Sequence, residues 1–214
     1  MSDGADKIHS DKPVSLLILE GYTEEVFYPI IRDQFLKGIR IELKNIKGQG
    51  NTNKDILALI FRYTHNNPDS VRAYCCIDSE RQKITATPLD LNFVRQQICQ
   101  RKEMNLILSV DAILADPDIE SWFFYDIKGI FRHLRAKPSK SDSQKYQNPY
   151  SLCKKDLEEL FYRLGKAYIS GKRVKNFINH LDIGKIVSKC KELREGIEKI
   201  KSQSIDLSNH ILKQ

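Results

Sequence analysis

Val14-Ser15-Leu16-Leu17-Ile18-Leu19-Glu20-Gly21-Tyr22-Thr23-Glu24-Glu25 is the stretch on which the fold turns. An apolar run, broken only by Ser15, ends abruptly in an acid and a glycine. Such a run reads as a β-strand buried on both faces. Gly21 is expected to let the chain turn sharply at the strand's carboxyl end. Thr23 then reads as the N-cap of a helix, with Glu24 and Glu25 in its first turn. That local order puts Glu20 at the rim of a sheet, where open α/β folds place their sites.

Working outward, Thr23 to Leu36 reads as an amphipathic helix with Val26, Phe27, Ile30, Ile31 and Phe35 on one stripe. Pro29 lies inside it and Gly38 ends it. Ile39, Ile41 and Leu43 alternate with charged residues, as in a strand with one exposed face. The polar turn Lys47 to Asn53, which holds Gly48-Gln49-Gly50, leads to a helix from about Lys54 to Tyr63. Val71 to Ile77 is a third strand and runs into Asp78-Ser79-Glu80. Pro88 to Lys102 reads as a helix, and Leu106 to Leu108 as a short fourth strand. Asp116-Pro117-Asp118-Ile119-Glu120 then opens an aromatic run, Trp122 to Tyr125, with Pro117 suited to a helix start. This alternation implies an α/β fold: a mostly parallel, Rossmann-type four-stranded sheet flanked by helices. Beyond it only helices are expected, as a C-terminal helical appendage.

The expected organisation is a disordered N-terminus over 1–12, a catalytic α/β domain over 13–134, a basic linker or loop over 135–149, and a helical region over 150–214. Among 214 residues, 41% are hydrophobic and 29% charged, as in a soluble globular chain. No apolar run approaches the roughly 20 residues that span a bilayer. The five cysteines form no C-x-x-C pair, which points to a reducing cytoplasm and away from structural zinc or a disulfide framework. A net charge of +7 and a pI near 9.1 favour a polyanionic partner. The positive charge crowds Arg132 to Lys145 and Lys166 to Lys201, whereas the acids of interest lie in the first 120 residues.

Three acidic clusters follow three separate strands: Glu20 with Glu24, Asp78 with Glu80, and Asp116, Asp118 and Glu120. In a parallel sheet all carboxyl ends lie along one edge, so the clusters can converge. Converging carboxylates raise one another's pKa unless a cation sits among them. Mg²⁺ or Mn²⁺ suits an all-oxygen set of this kind, and no matching His and Cys set supports zinc.

The strand ending E-G-x-T-E, followed by a strand ending D-x-E, resembles the TOPRIM family. That family includes topoisomerase and primase cores, nucleases of the overcoming-lysogenisation-defect type and small RloB-like proteins of phage-defence operons. The resemblance covers about Val14 to Tyr125. It matches the family's first glutamate to Glu20, the acid one turn later to Glu24, and the D-x-D pair to Asp78 and Glu80. Asp116 to Phe124 is similar to an element of the stand-alone proteins, with Glu120 as its glutamate, and Gly48-Gln49-Gly50 resembles their glycine turn. The implied site is Glu20, Asp78 and Glu80 as catalytic residues, and Glu20, Glu24, Asp78, Glu80 and Glu120 as metal ligands.

Two readings follow. One is a Mg²⁺- or Mn²⁺-dependent endonuclease acting on DNA or RNA, with phosphate contacts at Lys83 and at the compact group Lys172, Arg173 and Lys175. The other is a nucleic-acid-binding or regulatory subunit that acts only with a partner ATPase. A role in anti-phage defence is what the resemblance implies. Nucleic acid, a partner ATPase and a second copy of the chain are the expected partners, and no membrane is.

Overall fold

The structure is a computed structural model that describes residues 12–47, 51–79, 88–101 and 105–211, apart from the side chains of Lys172 and of residues 205–211. The predicted 1–12 lead-in falls almost wholly outside these residues, as do the turn Gly48-Gln49-Gly50, Glu80 and Lys83.

Four parallel strands form one sheet in the order β2-β1-β3-β4, with β1 at Val14–Leu19, β2 at Ile41–Asn45, β3 at Val71–Asp78 and β4 at Ile107–Ala115. Helices cover both faces, so the chain is a Rossmann-like α/β fold, as the alternation predicts. The period of two along β1 divides the core. Leu17 and Leu19 face one hydrophobic cluster, together with Tyr74 and Cys76 of β3. Val14, Leu16 and Ile18 face the other, with Ala73, Cys75 and Ile77. On that second face lie α2 (Thr52–Asn66) and α3 (Leu91–Cys99), through Ile56, Ile60, Val94 and Ile98.

The first face carries α1 (Tyr22–Phe35) and everything after β4: α4 (Ile119–Phe123), α5 (Ile127–Leu134), α6 (Lys140–Lys145), α7 (Lys154–Arg163), α8 (Lys175–Ile178), α9 (Ile183–Lys189) and α10 (Lys191–Ile211). Phe27 and Ile31 of α1 share one cluster with Phe123, Leu157, Phe161, Phe177, Ile186, Leu193 and Ile197. The C-terminal helices are therefore the cover of one sheet face rather than an appendage standing off it. The cover lies close: a Cβ on Gly196 of α10 would come within 2.6 Å of Ile113 on β4.

Residues 135–149, expected as a basic linker or loop, are built into this cover. A capping box of Ser139 and Asp142 starts α6, and Tyr146 is buried in a stack with Phe124 at 5.2 Å. The local composition is Lys- and Ser-rich because most of this face is solvated. One aromatic and one paired acid are enough to anchor it.

Two element limits also differ from the expectation. Strand β4 is far longer than Leu106 to Leu108 because Asp111, which breaks the apolar run, is neutralised in place. It meets Arg95 of α3 at 3.1 Å and Lys199 of α10 at 2.6 Å. Helix α3 starts later than Pro88, at the cap Asp90, whose carboxylate accepts from Phe93 N.

Candidate active site

The carboxyl ends of β1, β3 and β4 are tied by hydrogen bonds that run from one to the next. Glu20 Oε2 accepts from Asp78 N at 2.9 Å, and Asp78 Oδ1 accepts from Ile119 N at 2.9 Å. Ser79 N donates to Ala115 O, and Ser79 Oγ donates to Asp116 Oδ1. Asp118 caps α4 by accepting from Ser121 N, and its other oxygen accepts from Lys154 N at 2.8 Å. Glu20, Asp78 and Asp118 are thus each held by a backbone donor of the next element along the edge.

At the first turn the expectation needs correction. Helix α1 begins at Tyr22 with Gly21 as its cap, and no side chain caps it. Gly21 has φ −138, an extended conformation open to any residue, so sharp turning does not explain it. Space does: a Cβ there would meet Glu24 Oε2 at 3.0 Å. Thr23, freed from capping, is buried, and its Oγ1 accepts from Gly171 N at 3.3 Å.

The result is a cleft of about 670 Å³ lined by Glu20, Glu24, Asp78, Asp118 and Glu120, with Lys47, Lys154 and Lys155 also in its walls. Burial drives the titration of the acids. It pushes Glu24 up to about 7, helped by the charges of Glu120 and Glu20. Asp78 lies well above the usual carboxylate range, first through burial and then through Glu24, Glu120, Glu20 and Asp118. Glu120 is raised by burial and by Asp118, against a 2.9 Å hydrogen bond from Tyr168 Oη and the charge of Lys154.

Glu20, Glu24, Asp78 and Glu120, widely separated in sequence, come together here. Arg173, inside the 3-10 turn Gly171–Val174, and Lys175, the first residue of α8, are exposed, while Gly171 of that turn lines the cleft. The reading from sequence missed Lys47, Lys154, Lys155 and Tyr168, which carry no local signal. Asp118 was visible in the D-P-D-I-E cluster but was not singled out as a site residue.

Among the described residues, no three Asp, Glu, His or Cys side chains are gathered as tightly as the ligands of a bound metal ion. The donor set nonetheless fits a hard divalent cation in its chemistry, since every acid offers oxygen and their crowding is unfavourable without positive charge.

These features define a class: a parallel α/β protein with a carboxylate cleft at the carboxyl edge of its sheet. No family model matches the chain, and no curated protein matches it. Among solved structures, the C-terminal region of the Xanthomonas campestris pv. campestris OLD protein is similar over 92% of this chain and 95% of its own, with 15% identity and a TM-score of 0.44. The overlap is loose, and the fold and cleft stand on the residues of this chain.

Proposed function

We propose that this chain is a divalent-metal-dependent nuclease with a TOPRIM-like site. The observation that carries the reading is the meeting of Glu20, Glu24, Asp78 and Glu120 in one cleft, three of them with raised pKa, beside Lys47, Lys154 and Lys155. Glu20, Glu24, Asp78 and Glu120 would hold Mg²⁺ or Mn²⁺, with Glu80, which lies outside the described residues, as a further ligand. Bound there, the ion supplies charge neutralisation for a phosphodiester and an acidified water. The residues of the chain do the rest. Tyr168 Oη orients Glu120, the amide of Ile119 orients Asp78, and the cleft lysines bind backbone phosphates that bare carboxylates would repel.

No helix among the described residues is long and apolar enough to cross a membrane, and all five cysteines are free thiols. Work in a reducing cytoplasm is part of this proposal and rests on the scattered cysteines of the sequence. The roles in phage defence and beside a partner ATPase rest on the sequence resemblance.

The test is cleavage of labelled DNA and RNA in Mg²⁺ and in Mn²⁺. Cleavage that vanishes in chelator, and falls by about a hundredfold or more in Glu20→Gln and Asp78→Asn, is the expected result. A purified chain that cuts neither polymer in either ion sinks the nuclease reading. It leaves the binding-subunit reading, which co-purification of an ATPase would then support.

A further inference from the structure

Beside the acidic cleft lies a second cavity of about 530 Å³, lined by Glu158, Tyr162, Gly165, Lys166, Ala167 and Tyr168. Glu158 lines both spaces, so the two are neighbours. Helix α7 makes the connection. Lys154, Glu158 and Tyr162 are spaced four apart and fall on one face. Lys154 and Glu158 line the cleft, and Tyr162 stands about 6 Å further along the axis.

The far wall is fixed by the end of that helix. Gly165, at φ +73, turns the chain back, with Gly165 N donating to Tyr162 O and Lys166 N to Phe161 O. Lys166 Nζ donates to His133 O, which pins the next residue. Tyr168 packs edge-on against Phe161 at 5.3 Å while its hydroxyl reaches Glu120 in the cleft. Against this ordered wall the Tyr162 side chain is 84% exposed.

We infer that this cavity takes one unpaired base of a single-stranded nucleic acid whose backbone crosses the cleft, a proposal that rests on the nuclease reading of the cleft. Charge complementarity and adjacency to the cleft select this occupant. Lys154 and Lys155 line the cleft for phosphates, and Tyr162 offers an aromatic face one helical turn away. Glu158, between them, can accept from the exocyclic amino group of a base. In a duplex the base faces are already stacked, so only an unpaired or flipped base can use Tyr162.

The experiment uses the full chain carrying Asp78→Asn, which leaves the strand uncut. A short oligonucleotide with a single 2-aminopurine is titrated alone and annealed to its complement. The single strand is expected to bind tighter, with quenched emission from the stacked base. Tyr162→Ala should weaken single-strand binding by about 5- to 150-fold, the range one stacked base supplies, and Tyr162→Trp should restore it. Because Tyr162 is a surface side chain, both variants should fold, which circular dichroism checks. Equal affinity for single strand and duplex, or a Tyr162→Ala variant with the parent's affinity, overturns the proposal. Cleavage by the parent combined with an indifferent Tyr162→Ala removes the base site and keeps the nuclease. Stacking on Tyr162 without any cleavage by the parent removes the nuclease and keeps the base site.

Discussion

Glu24 and Glu120 in the cleft are 5% and 3% exposed, and Asp126 and Asp142 in the helical cover are 3% and 6% exposed. Exposure to solvent is equally low, although the cleft acids lie deeper in the protein, and acidity moves in opposite directions. Burial works against ionised Asp126, but Lys185 Nζ at 2.8 Å and the backbone donors of Asp182 and Gly129 outweigh it and hold its pKa below the usual range. Burial likewise opposes Asp142, and donors from Ser139 together with Arg163 outweigh it. In the cleft the nearest charges are other carboxylates, so burial and repulsion add. The cover thus uses acids as struts with a cation for each. Glu24 and Asp78 at the sheet edge are instead raised by burial and by one another, a pattern that fits the proposed metal site better than a stabilising role.

Removing a strut should have the largest effect. Asp126→Ala leaves the Asp182 amide and the Lys185 ammonium without their acceptor, and unfolding in urea should show a loss of about 3–5 kcal/mol. A loss under about 1 kcal/mol would mean that Asp126 is no better placed than the cleft acids, and the contrast would collapse.

Removing a cleft acid should act the other way. Glu24 has its folded pKa raised from 4.5 to about 7, so the folded state holds this proton more tightly than the unfolded chain does. Its contribution is intact below about pH 4.5 and is lost as pH rises to about 7, at a cost of up to about 3 kcal/mol. Glu24→Gln should therefore match the parent at pH 4.5 and exceed it at pH 8, as read from denaturation at both values. A variant less stable than the parent at pH 8 would show that Glu24 is a strut after all.

The third expected effect depends on ligand concentration. Mn²⁺ or Mg²⁺ should raise the melting temperature of the parent, by the equivalent of about 2.7 kcal/mol at a hundred times the dissociation constant. Asp78→Asn should lose most of that rise, whereas a conservative change in the cover, such as Ser143→Ala, should keep it. An unchanged parent melting curve through millimolar Mn²⁺ would leave the raised acids without the cation that their crowding calls for.

Much of the site's floor was legible in the chain itself. The apolar run of β1, its abrupt end at Glu20, and the parallel βα alternation suffice to put Glu20, Glu24, Asp78 and Glu120 on one edge, because parallel strands share the direction of their carboxyl ends. Side-chain periodicity, a property of neighbours in sequence, also separates the two faces of β1 and β3. The course of β4 was not legible, since Asp111 becomes compatible with a buried strand only through Arg95 and Lys199, which arrive from elsewhere.

The same limit hid the upper half of the cleft. Lys154, Tyr168 and Gly171 belong to a stretch whose composition reads as solvated helix and loop. Lys154 and Tyr168 reach the acids, and Gly171 reaches Thr23 beside them, because Phe161 and Phe177 bury themselves against the Phe27 side of the sheet. Sequence alone determined which acids share an edge, because backbone direction and alternation are local properties that propagate along a strand. Tertiary structure alone decided which cations, hydroxyls and amides face those acids, because such partners are chosen by long-range burial of apolar surface, which no local pattern encodes.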